Sequence, residues 1–348
     1  RDLVRSRGLG DVYKRQLESL VNESNFIFHL AGINRPITKD EFYEGNSNLT
    51  LKLAKAVEAT NRDIPICLAS SIQAALDNDY GKSKKLAEDY LLSYSKRTGH
   101  RVYIFRLQNA FGKWCKPNYN SVVATFCFNI ANGLPISIND RNVVKEFVYI
   151  DDICKSFVSL LNQDGTYSSE EILTVKPSYK ISIGELADMF FGFKASRENL
   201  IIPNVGDEFS SKLYATYLSY LEPEQGFSYN LVPHIDARGS FTEFFRTTSA
   251  GQLSINISKP GITKGNHFHN TKNEKFLVIH GLCLIKFRKI GTDTIFEYKV
   301  SGGDMKVVDI PCGYTHSITN IGSDDSITLM WASELFDKDN PDTFYEEV

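Results

Sequence analysis

The hydrophobic pattern divides the chain into two regions of different periodicity. From Leu17 to about Thr216, short apolar runs alternate with longer stretches in which apolar residues recur every three or four positions. This alternation predicts strands separated by helices, which is typical of a parallel sheet covered on both faces. Ser182 and Glu185 have the spacing of a capping box, which predicts one more helix start. The predicted strands cover residues 25–30, 64–69, 102–106 and 146–150, and the main predicted helices cover 38–61, 80–98 and 122–132.

Helical periodicity stops near Leu221. Beyond it Leu253, Ile255 and Ile257 alternate with polar residues, and glycine, proline and aspartate separate further strand-like runs at 276–287, 295–300 and 327–331. This pattern predicts an all-β sandwich or barrel. We place the boundary within 217–232, and take residues 17–225 as an α/β domain and 226–348 as a β domain.

Composition narrows the classes of function. The 348 residues carry 39 basic and 42 acidic side chains, a net charge of −3, so nothing favours a nucleic-acid partner. No apolar run is long enough to span a bilayer, which argues against a membrane partner. The six cysteines are scattered and include no C-x-x-C pair, which is typical of reduced thiols in a cytoplasmic protein.

Residues 1–16 do not fit the rest of the chain. They lack periodicity and carry four arginines and a lysine against two aspartates. The stretch can be back-translated into the end of a common sequencing adapter, so we predict a non-native, adapter-derived segment and exclude it from the fold. A natural basic start remains the alternative. On the adapter interpretation, native sequence upstream of Leu17 is missing.

Tyr80 and Lys84 lie four residues apart at the start of a predicted helix, so both side chains share one face. An ammonium beside a phenol favours the phenolate, which predicts a lowered pKa for Tyr80 and suits transfer of a proton to a carbonyl oxygen. Ser70 and Ser71 end the strand at 64–69, at the sheet edge where open α/β folds bind ligands. Many helices carry this Tyr–Lys spacing by chance, so a purely structural role stays open on spacing alone.

Several fragments, in this order, resemble the extended short-chain dehydrogenase/reductase family. They are His29–Gly32 after a strand, Asn46 and Thr50 on the next helix, Ser70–Ser71, Tyr80 with Lys84, residues 106–112 and residues 146–152. The resemblance implies a Rossmann-like domain whose first strand–helix unit is missing from this chain. The missing unit would contain the glycine-rich phosphate loop and the residue that selects NAD or NADP.

The same resemblance implies roles for individual residues. Tyr80 would be the general acid, Lys84 would orient the nicotinamide ribose, and Ser71 would hydrogen-bond the carbonyl oxygen, with Ser70 as a close alternative. The residues expected to border the cofactor are His29, Ala31, Gly32, Tyr80 and Lys84.

Three of the seven histidines lie in two short segments of the β region. His267 and His269 are two apart, so on a strand they point to the same face. Glu274 follows a polar turn, and His316 belongs to a separate predicted hairpin. Three imidazoles and one carboxylate suit a divalent metal such as zinc. A lone His-x-His pair more often consists of surface histidines that bind no metal.

The spacing of glycines and proline around these ligands resembles the two motifs of the cupin family, a jelly-roll barrel. The first motif matches in full, whereas the second is loose upstream, where Gly302 and Gly303 lie too far from Pro311. Some cupins that act on nucleotide sugars work without metal, so the zinc stays an expectation. Residues 236–243 also resemble a segment of the cupin epimerases that act on nucleotide-linked 4-keto sugars, although a turn with an Arg–Asp pair explains them equally simply.

A reductase domain followed by a cupin is an uncommon order. From Leu17 to Val348 the chain resembles a family of bifunctional, homodimeric, zinc-containing enzymes of bacterial capsular polysaccharide synthesis, most closely at residues 113–122, 256–267 and 341–348. The resemblance implies a UDP-linked 4-keto amino sugar as substrate, epimerised at carbon 3 by the cupin and reduced at carbon 4 with NADPH. The product would be UDP-N-acetyl-L-talosamine, on the route to UDP-N-acetyl-L-fucosamine.

Five further residues are candidates for contact with the substrate: Asn109, Lys116 and Asn118 after the third strand, and Lys272 and Tyr314 beside the metal motifs. Lys272 and Tyr314 are candidate acid or base groups, with plain surface or packing roles as the alternative. Two other functions stay open. The protein could be a single-function nucleotide-sugar reductase whose cupin serves dimerisation, or the cupin could be a sugar-binding module without activity.

Overall fold

The computed structural model describes residues 10–162 and 171–348. Contacts divide the chain into one unit of residues 1–190 and 206–221 and another of residues 191–205 and 222–348. The main division after Leu221 lies inside the predicted boundary region. Residues 191–205 group with the β region because Leu200 and Ile202 exchange backbone hydrogen bonds with Arg246. Of the proposed non-native segment, residues 1–9 lie outside the described residues and 10–16 form the start of a helix; its origin stays a prediction.

The first unit combines short strands with helices. Its helices are α1 (Gly10–Glu23), α2 (Asp40–Phe42), α3 (Leu49–Glu58), α4 (Asp79–Thr98), α5 (Val122–Ala131), α6 (Ile150–Ser159), α7 (Ile183–Asn199, which runs on into the second unit) and α8 (Glu208–Leu218). Its strands are β1 (Ile27–His29), β2 (Ile66–Ser71), β3 (Val102–Leu107), β4 (Asn109–Phe111), β5 (Val144–Tyr149), β6 (Ile172–Leu173) and β7 (Tyr179–Ser182). The predicted capping box is present: the Glu185 carboxylate accepts the Ser182 backbone N–H at 3.1 Å, and the Ser182 hydroxyl accepts the Glu185 N–H at 3.2 Å.

Strands β1, β2, β3 and β6 form one parallel sheet in that order, as the sequence predicts. Its central strands are buried on both faces, because alternate residues enter different cores: Ile66 and Leu68 join one hydrophobic cluster, and Cys67 joins the other. A second small sheet, β4-β5-β7, was not predicted, and its β5–β7 pair is antiparallel. The carboxyl edge of the parallel sheet brings the end of β2 close to the start of α4.

The helix predicted over 38–61 is interrupted. Between α2 and α3 the chain forms a π-helical segment, Tyr43–Asn48. Ile33 packs there so closely that a Cβ added to Gly45 would lie 2.5 Å from it. The Asn46 amide accepts from the Ile33 N–H and donates to its carbonyl, both at 2.9 Å. Such π-segments are rare and frequent at functional sites.

The second unit is built on two antiparallel sheets. One has the order β15-β12-β17-β10-β9-β8 and the other β14-β13-β16-β11-β18. Buried side chains from both sheets, among them Phe276 and Ile285, form its core. The elements are α9 (Pro223–Gly226), β8 (His234–Asp236), β9 (Gly239–Arg246), β10 (Gln252–Ser258), β11 (Thr263–Phe268), β12 (Glu274–His280), β13 (Leu282–Lys289), β14 (Ile295–Ser301), β15 (Val307–Ile310), β16 (Tyr314–Asn320), β17 (Ser326–Ala332) and β18 (Phe344–Tyr345).

The run predicted as one strand over 276–287 is two strands. Gly281 has φ 82°, a left-handed conformation that glycine adopts without steric cost, and it separates β12 from β13. The two strands then join different sheets. Among the described residues, no helix has both the length and the apolar character needed to cross a bilayer.

Candidate functional sites

The first site forms where β2 ends and α4 begins. Asn78 caps α4 by accepting the Gly81 N–H at 2.8 Å, which places Tyr80 and Lys84 in its first turns. The two serines at the end of β2 have different partners. The Ser71 side chain interacts with the Tyr80 phenol, whereas the Ser70 hydroxyl donates to buried Glu88 at 2.6 Å. The structure therefore brings together Ser71 and Tyr80, and it engages Ser70 elsewhere.

The electrostatics of this site differ from the sequence-based prediction. Burial raises the pKa of Tyr80, and the interaction with Ser71 opposes that rise only in part. Lys84 is almost fully buried and donates to the Ala69 carbonyl at 3.1 Å; burial lowers its own pKa to about 8. The expected lowering of the Tyr80 pKa was thus wrong for this structure, because desolvation of the phenol dominates.

The end of β1 faces Lys84. A Cβ on Gly32 would lie 3.0 Å from the Lys84 Nζ and 2.7 Å from the Asn46 Oδ1, so a larger residue there would displace these side chains. The neighbouring residue, Ala31, is exposed. The His29 ring points inward, with Nε2 2.8 Å from the Thr50 hydroxyl, and burial lowers its pKa to about 4. At this edge the buried Lys84 amine therefore lies beside Gly32, whereas His29 is engaged inside the fold, and contact of these residues with a cofactor stays a prediction.

Three candidate substrate residues lie on or after β4. Asn109 donates from Nδ2 to the Glu146 carbonyl at 2.9 Å, and Asn118, at φ 53°, donates to the Asn129 amide at 3.1 Å. The Lys116 ammonium lies 5.4 Å from the centre of the Tyr119 ring. Their hydrogen bonds and ring contact are to neighbouring residues other than Tyr80, so their part in substrate binding stays a prediction.

The second site is the histidine cluster. One ligand atom each from His267, His269, Glu274 and His316 lies within 4.8 Å of the others, as the sequence predicts for a metal site. Glu274 begins β12, in the other sheet from β11 and β16, so the cluster draws on both sheets. A register shift between Gly265 and His267 marks a bulge in β11 opposite His316.

The unpaired atoms of this cluster fit a cation. The Glu274 Oε2 lies 3.4 Å from the His269 Nε2 and 3.3 Å from the His316 Nε2. Among the described residues, the His269 Nε2 and Glu274 Oε2 are buried without a hydrogen-bond partner. Burial and the neighbouring imidazoles lower the pKa of His267 to about 4, which keeps it in the neutral form that binds metal. Nitrogen and carboxylate donors of this kind suit zinc.

A segment far along the chain holds the loop of residues 270–272, which lies between His269 and Glu274. The Asp342 carbonyl contacts the His269 Nδ1, which fixes the ring with its other nitrogen toward Glu274. The Asp342 carboxylate accepts three backbone N–H groups of residues 270–272, at 2.8–3.1 Å. These bonds hold the pKa of Asp342 well below its usual range despite the opposing effect of burial. Such outer contacts commonly set ligand orientation and metal affinity.

The cluster opens into a cavity of about 630 Å³. His267, Glu274 and His316 line it together with a group of polar and apolar residues: His234, Asp236, Arg238, Asn256, Lys264, Phe276, Ile318 and Met330. Asp236 and Arg238 form the ion pair anticipated for this turn, at 2.6 Å.

The two residues proposed from sequence as acid or base groups, Lys272 and Tyr314, are not among the described residues that line this cavity. Tyr314 lines a separate cavity, and the Lys272 amine donates to the Thr343 hydroxyl at 3.2 Å. Each stands two residues before a proposed ligand in the sequence, and its part in catalysis or substrate binding stays a prediction.

The geometry agrees with comparisons to known proteins. The NAD dependent epimerase/dehydratase family matches residues 10–174, and the polysaccharide biosynthesis C-terminal domain matches residues 234–344. UDP-2-acetamido-2,6-β-L-arabino-hexul-4-ose reductase from Pseudomonas aeruginosa is 47% identical over 328 residues, which are 94% of this chain and 87% of that protein. The chain belongs to this reductase family.

Solved structures agree with that membership. The crystal structure of the capsular polysaccharide assembling protein CapF from Staphylococcus aureus is similar with a TM-score of 0.87 and 47% identity, covering 96% of this chain and 90% of that one. A crystal structure of CapF with the inhibitor 3-isopropenyl-tropolone gives 0.84 and 44%, covering 96% and 89%. These comparisons confirm the CapF-like family and the predicted combination of a Rossmann-like domain with an all-β region.

In this CapF-like reductase each site lies within one matched region. Ser71, Tyr80 and Lys84 lie within residues 10–174, and the histidine cluster lies within residues 234–344. Sequence reasoning missed Lys264 and Asp342. Lys264 stands three residues before His267, a signal that could have been used, whereas nothing in local spacing points to Asp342.

Proposed function

We propose that the protein reduces the 4-keto group of a UDP-linked 2-acetamido-2,6-dideoxy-hexulose in its first unit and epimerises carbon 3 of that sugar in its second. The product is UDP-N-acetyl-L-talosamine, a precursor of UDP-N-acetyl-L-fucosamine for capsular polysaccharide. The observation that carries the proposal is the presence of two chemically distinct polar sites, Ser71–Tyr80–Lys84 and the histidine cluster, each within a single unit.

In the first unit, Tyr80 gives its phenolic proton to the carbonyl oxygen as that oxygen becomes a hydroxyl. Ser71 contacts the phenol and would hold the same oxygen by a hydrogen bond. NADPH supplies the hydride to carbon 4 when bound. The buried Lys84 amine, beside Gly32, would hold the nicotinamide ribose. Asn109, Lys116 and Asn118 remain proposed substrate contacts.

In the second unit the sugar carbonyl acidifies the hydrogen on carbon 3. Zinc held by His267, His269, Glu274 and His316 would supply positive charge for the oxygen that gains electron density. The cavity of about 630 Å³ beside the cluster has room for a sugar. Enolisation is reversible and reduction draws it forward, which gives a reason to join the two activities. We propose a cytoplasmic homodimer, on the family resemblance alone.

Two variants of the full-length gene product test this division. Tyr80→Phe is expected to abolish NADPH oxidation because the proton donor is lost, yet to retain exchange of solvent deuterium into carbon 3, followed by NMR. His269→Ala is expected to lose the exchange and to keep reduction of an epimer supplied to it. Tyr90→Phe on the same helix and exposed His280→Ala serve as matched controls, and zinc content is measured for each protein.

The outcomes separate the alternatives. If Tyr80→Phe stopped both reactions while folded, one shared site would be indicated. If the wild-type protein reduced its substrate but showed no exchange with zinc bound, the second unit would be a dimerisation or sugar-binding module, and the protein would be a single-function reductase.

A further inference from the structure

The cavity beside the histidine cluster contains an amine that the proposed chemistry has not yet used. Lys264 lies on β11 and lines the same cavity as His267, Glu274 and His316. On the neighbouring strand β16, Lys264 pairs with Ile318, which also lines the cavity. Ile318 lies two residues after His316, the residue that pairs with His267. The bulge between these pairs shifts the strand locally.

The ammonium of Lys264 is held in place. It donates to the Asn256 Oδ1 at 2.6 Å and to the Ile257 carbonyl at 3.0 Å, so two of its three N–H groups are engaged by the described residues. Both acceptors are neutral, so they position the nitrogen without the full charge stabilisation that a carboxylate partner gives. Burial lowers the pKa of Lys264; among neighbouring charges Asp236 acts to raise it and Arg238 to lower it.

The other ionisable residues of the cavity serve less well as a base. Asp236 and Arg238 are exposed and bind each other, and that pairing holds the pKa of the Asp236 carboxyl below its usual range. His234 is exposed at the beginning of β8. Among the described residues that line the cavity, Lys264 carries a half-buried amine, and it is not one of the proposed metal ligands.

We propose that Lys264 is the catalytic base of the second unit and removes the proton from carbon 3 of the UDP-linked 4-keto sugar. The neutral Nζ takes the proton, the C–H electron pair forms the carbon 3–carbon 4 double bond, and the negative charge moves to the carbonyl oxygen. Water returns a proton to the opposite face of carbon 3, and the Lys264 ammonium loses its proton to the resulting hydroxide. The step is neutral overall, and it rests on the epimerase activity proposed above.

Exchange of solvent deuterium into carbon 3 tests the assignment in the full-length protein. Lys264→Met is expected to slow exchange by about 10²- to 10⁴-fold, the usual contribution of a positioned base. Lys264→Arg is expected to be equally slow, because guanidinium keeps the charge but does not deprotonate. Lys306→Met, which removes an exposed lysine of the separate cavity, is the control and is expected to exchange at the wild-type rate.

Rescue distinguishes a base from a merely structural lysine. Methylamine added to Lys264→Ala is expected to restore exchange in proportion to its unprotonated fraction, so that rescue rises with pH. Zinc content is measured for every variant, so a variant that lost the metal would be recognised. If a variant has lost zinc, Lys264→Arg and the methylamine series decide whether Lys264 is the base. Absence of rescue in zinc-loaded protein would overturn the proposal.

Failure of this assignment is distinct from failure of the epimerase activity. If wild-type and Lys264→Met exchange at similar rates, Lys264 is not the base and the activity stands. If Lys264→Arg retains full exchange, a fixed cation suffices and the base assignment is wrong. If zinc-loaded wild-type protein shows no exchange, both proposals fall together.

Discussion

Glu88 carries its charge in the interior of the first unit. Its side chain has no exposed surface, and its carboxylate accepts from the Arg106 guanidinium at 2.9 and 2.6 Å and from the Ser70 hydroxyl at 2.6 Å. A buried carboxylate is stable only with partners of this kind. We therefore expect Arg106→Met to destabilise the unit strongly, since the buried carboxylate loses its guanidinium partner and keeps only the Ser70 hydroxyl as a direct hydrogen-bond donor.

The magnitude follows from the geometry. Removing one partner of a buried pair typically costs 3–5 kcal/mol, roughly what two charge-assisted hydrogen bonds contribute. The Arg106 side chain is 24% exposed, so water can reach part of the site, and we expect about 3 kcal/mol, the lower end of that range. The double variant Arg106→Met with Glu88→Met removes both charges, and it is expected to recover most of the loss.

The assay is urea denaturation followed by far-ultraviolet circular dichroism at 222 nm, which reports mainly on the helices of the first unit. Arg97→Met is a matched control. It breaks the ion pair between Arg97 of α4 and Glu58, in which both side chains are well exposed, so the expected loss of stability is small. The reasoning would be refuted if Arg106→Met destabilised no more than Arg97→Met, or if the double variant were no more stable than the single one.

Two further predictions concern the sites. Gly32→Ala is expected to displace the Lys84 amine, because the new Cβ would lie 3.0 Å from that nitrogen, and to lower kcat for NADPH-dependent reduction about 10- to 100-fold. Gly192→Ala is the control, because a Cβ there meets nothing within 4 Å. Equal steady-state rates for the two variants would contradict this prediction. Asp342→Ala is expected to weaken zinc binding about 10-fold or more in chelator competition, because the N–H groups of residues 270–272 lose the carboxylate that holds the loop beside His269, while the backbone carbonyl at His269 remains. An unchanged affinity would show that the carboxylate is dispensable for the metal.

The parts of both sites that could be predicted are those encoded locally. Tyr80 and Lys84 share one helix start and Ser71 ends the preceding strand, so local spacing placed them together, and the family resemblance supplied their roles. His267, His269 and Glu274 are separated by a few residues and one turn. These features need no knowledge of distant contacts.

The parts that were missed depend on tertiary structure. The pKa of Tyr80 is set by burial, which no spacing encodes. Which residues line the cavity, Lys264 among them, depends on how the strands pack, and spacing along the sequence does not encode that. Asp342 lies 73 residues from His269, a contact created by pairing of β18 with β11.

That pairing also sets an order of events during synthesis. Strands β11, β12 and β16, with all four proposed ligands, leave the ribosome before residues 342–345 do. Until then the His269 ring lacks its carbonyl partner and the loop at 270–272 lacks its acceptor. The nascent β unit can therefore collapse around its hydrophobic core while the loop at 270–272 is still unfastened, and a metal at the proposed ligands would be bound firmly only in one of the last steps of maturation of the chain.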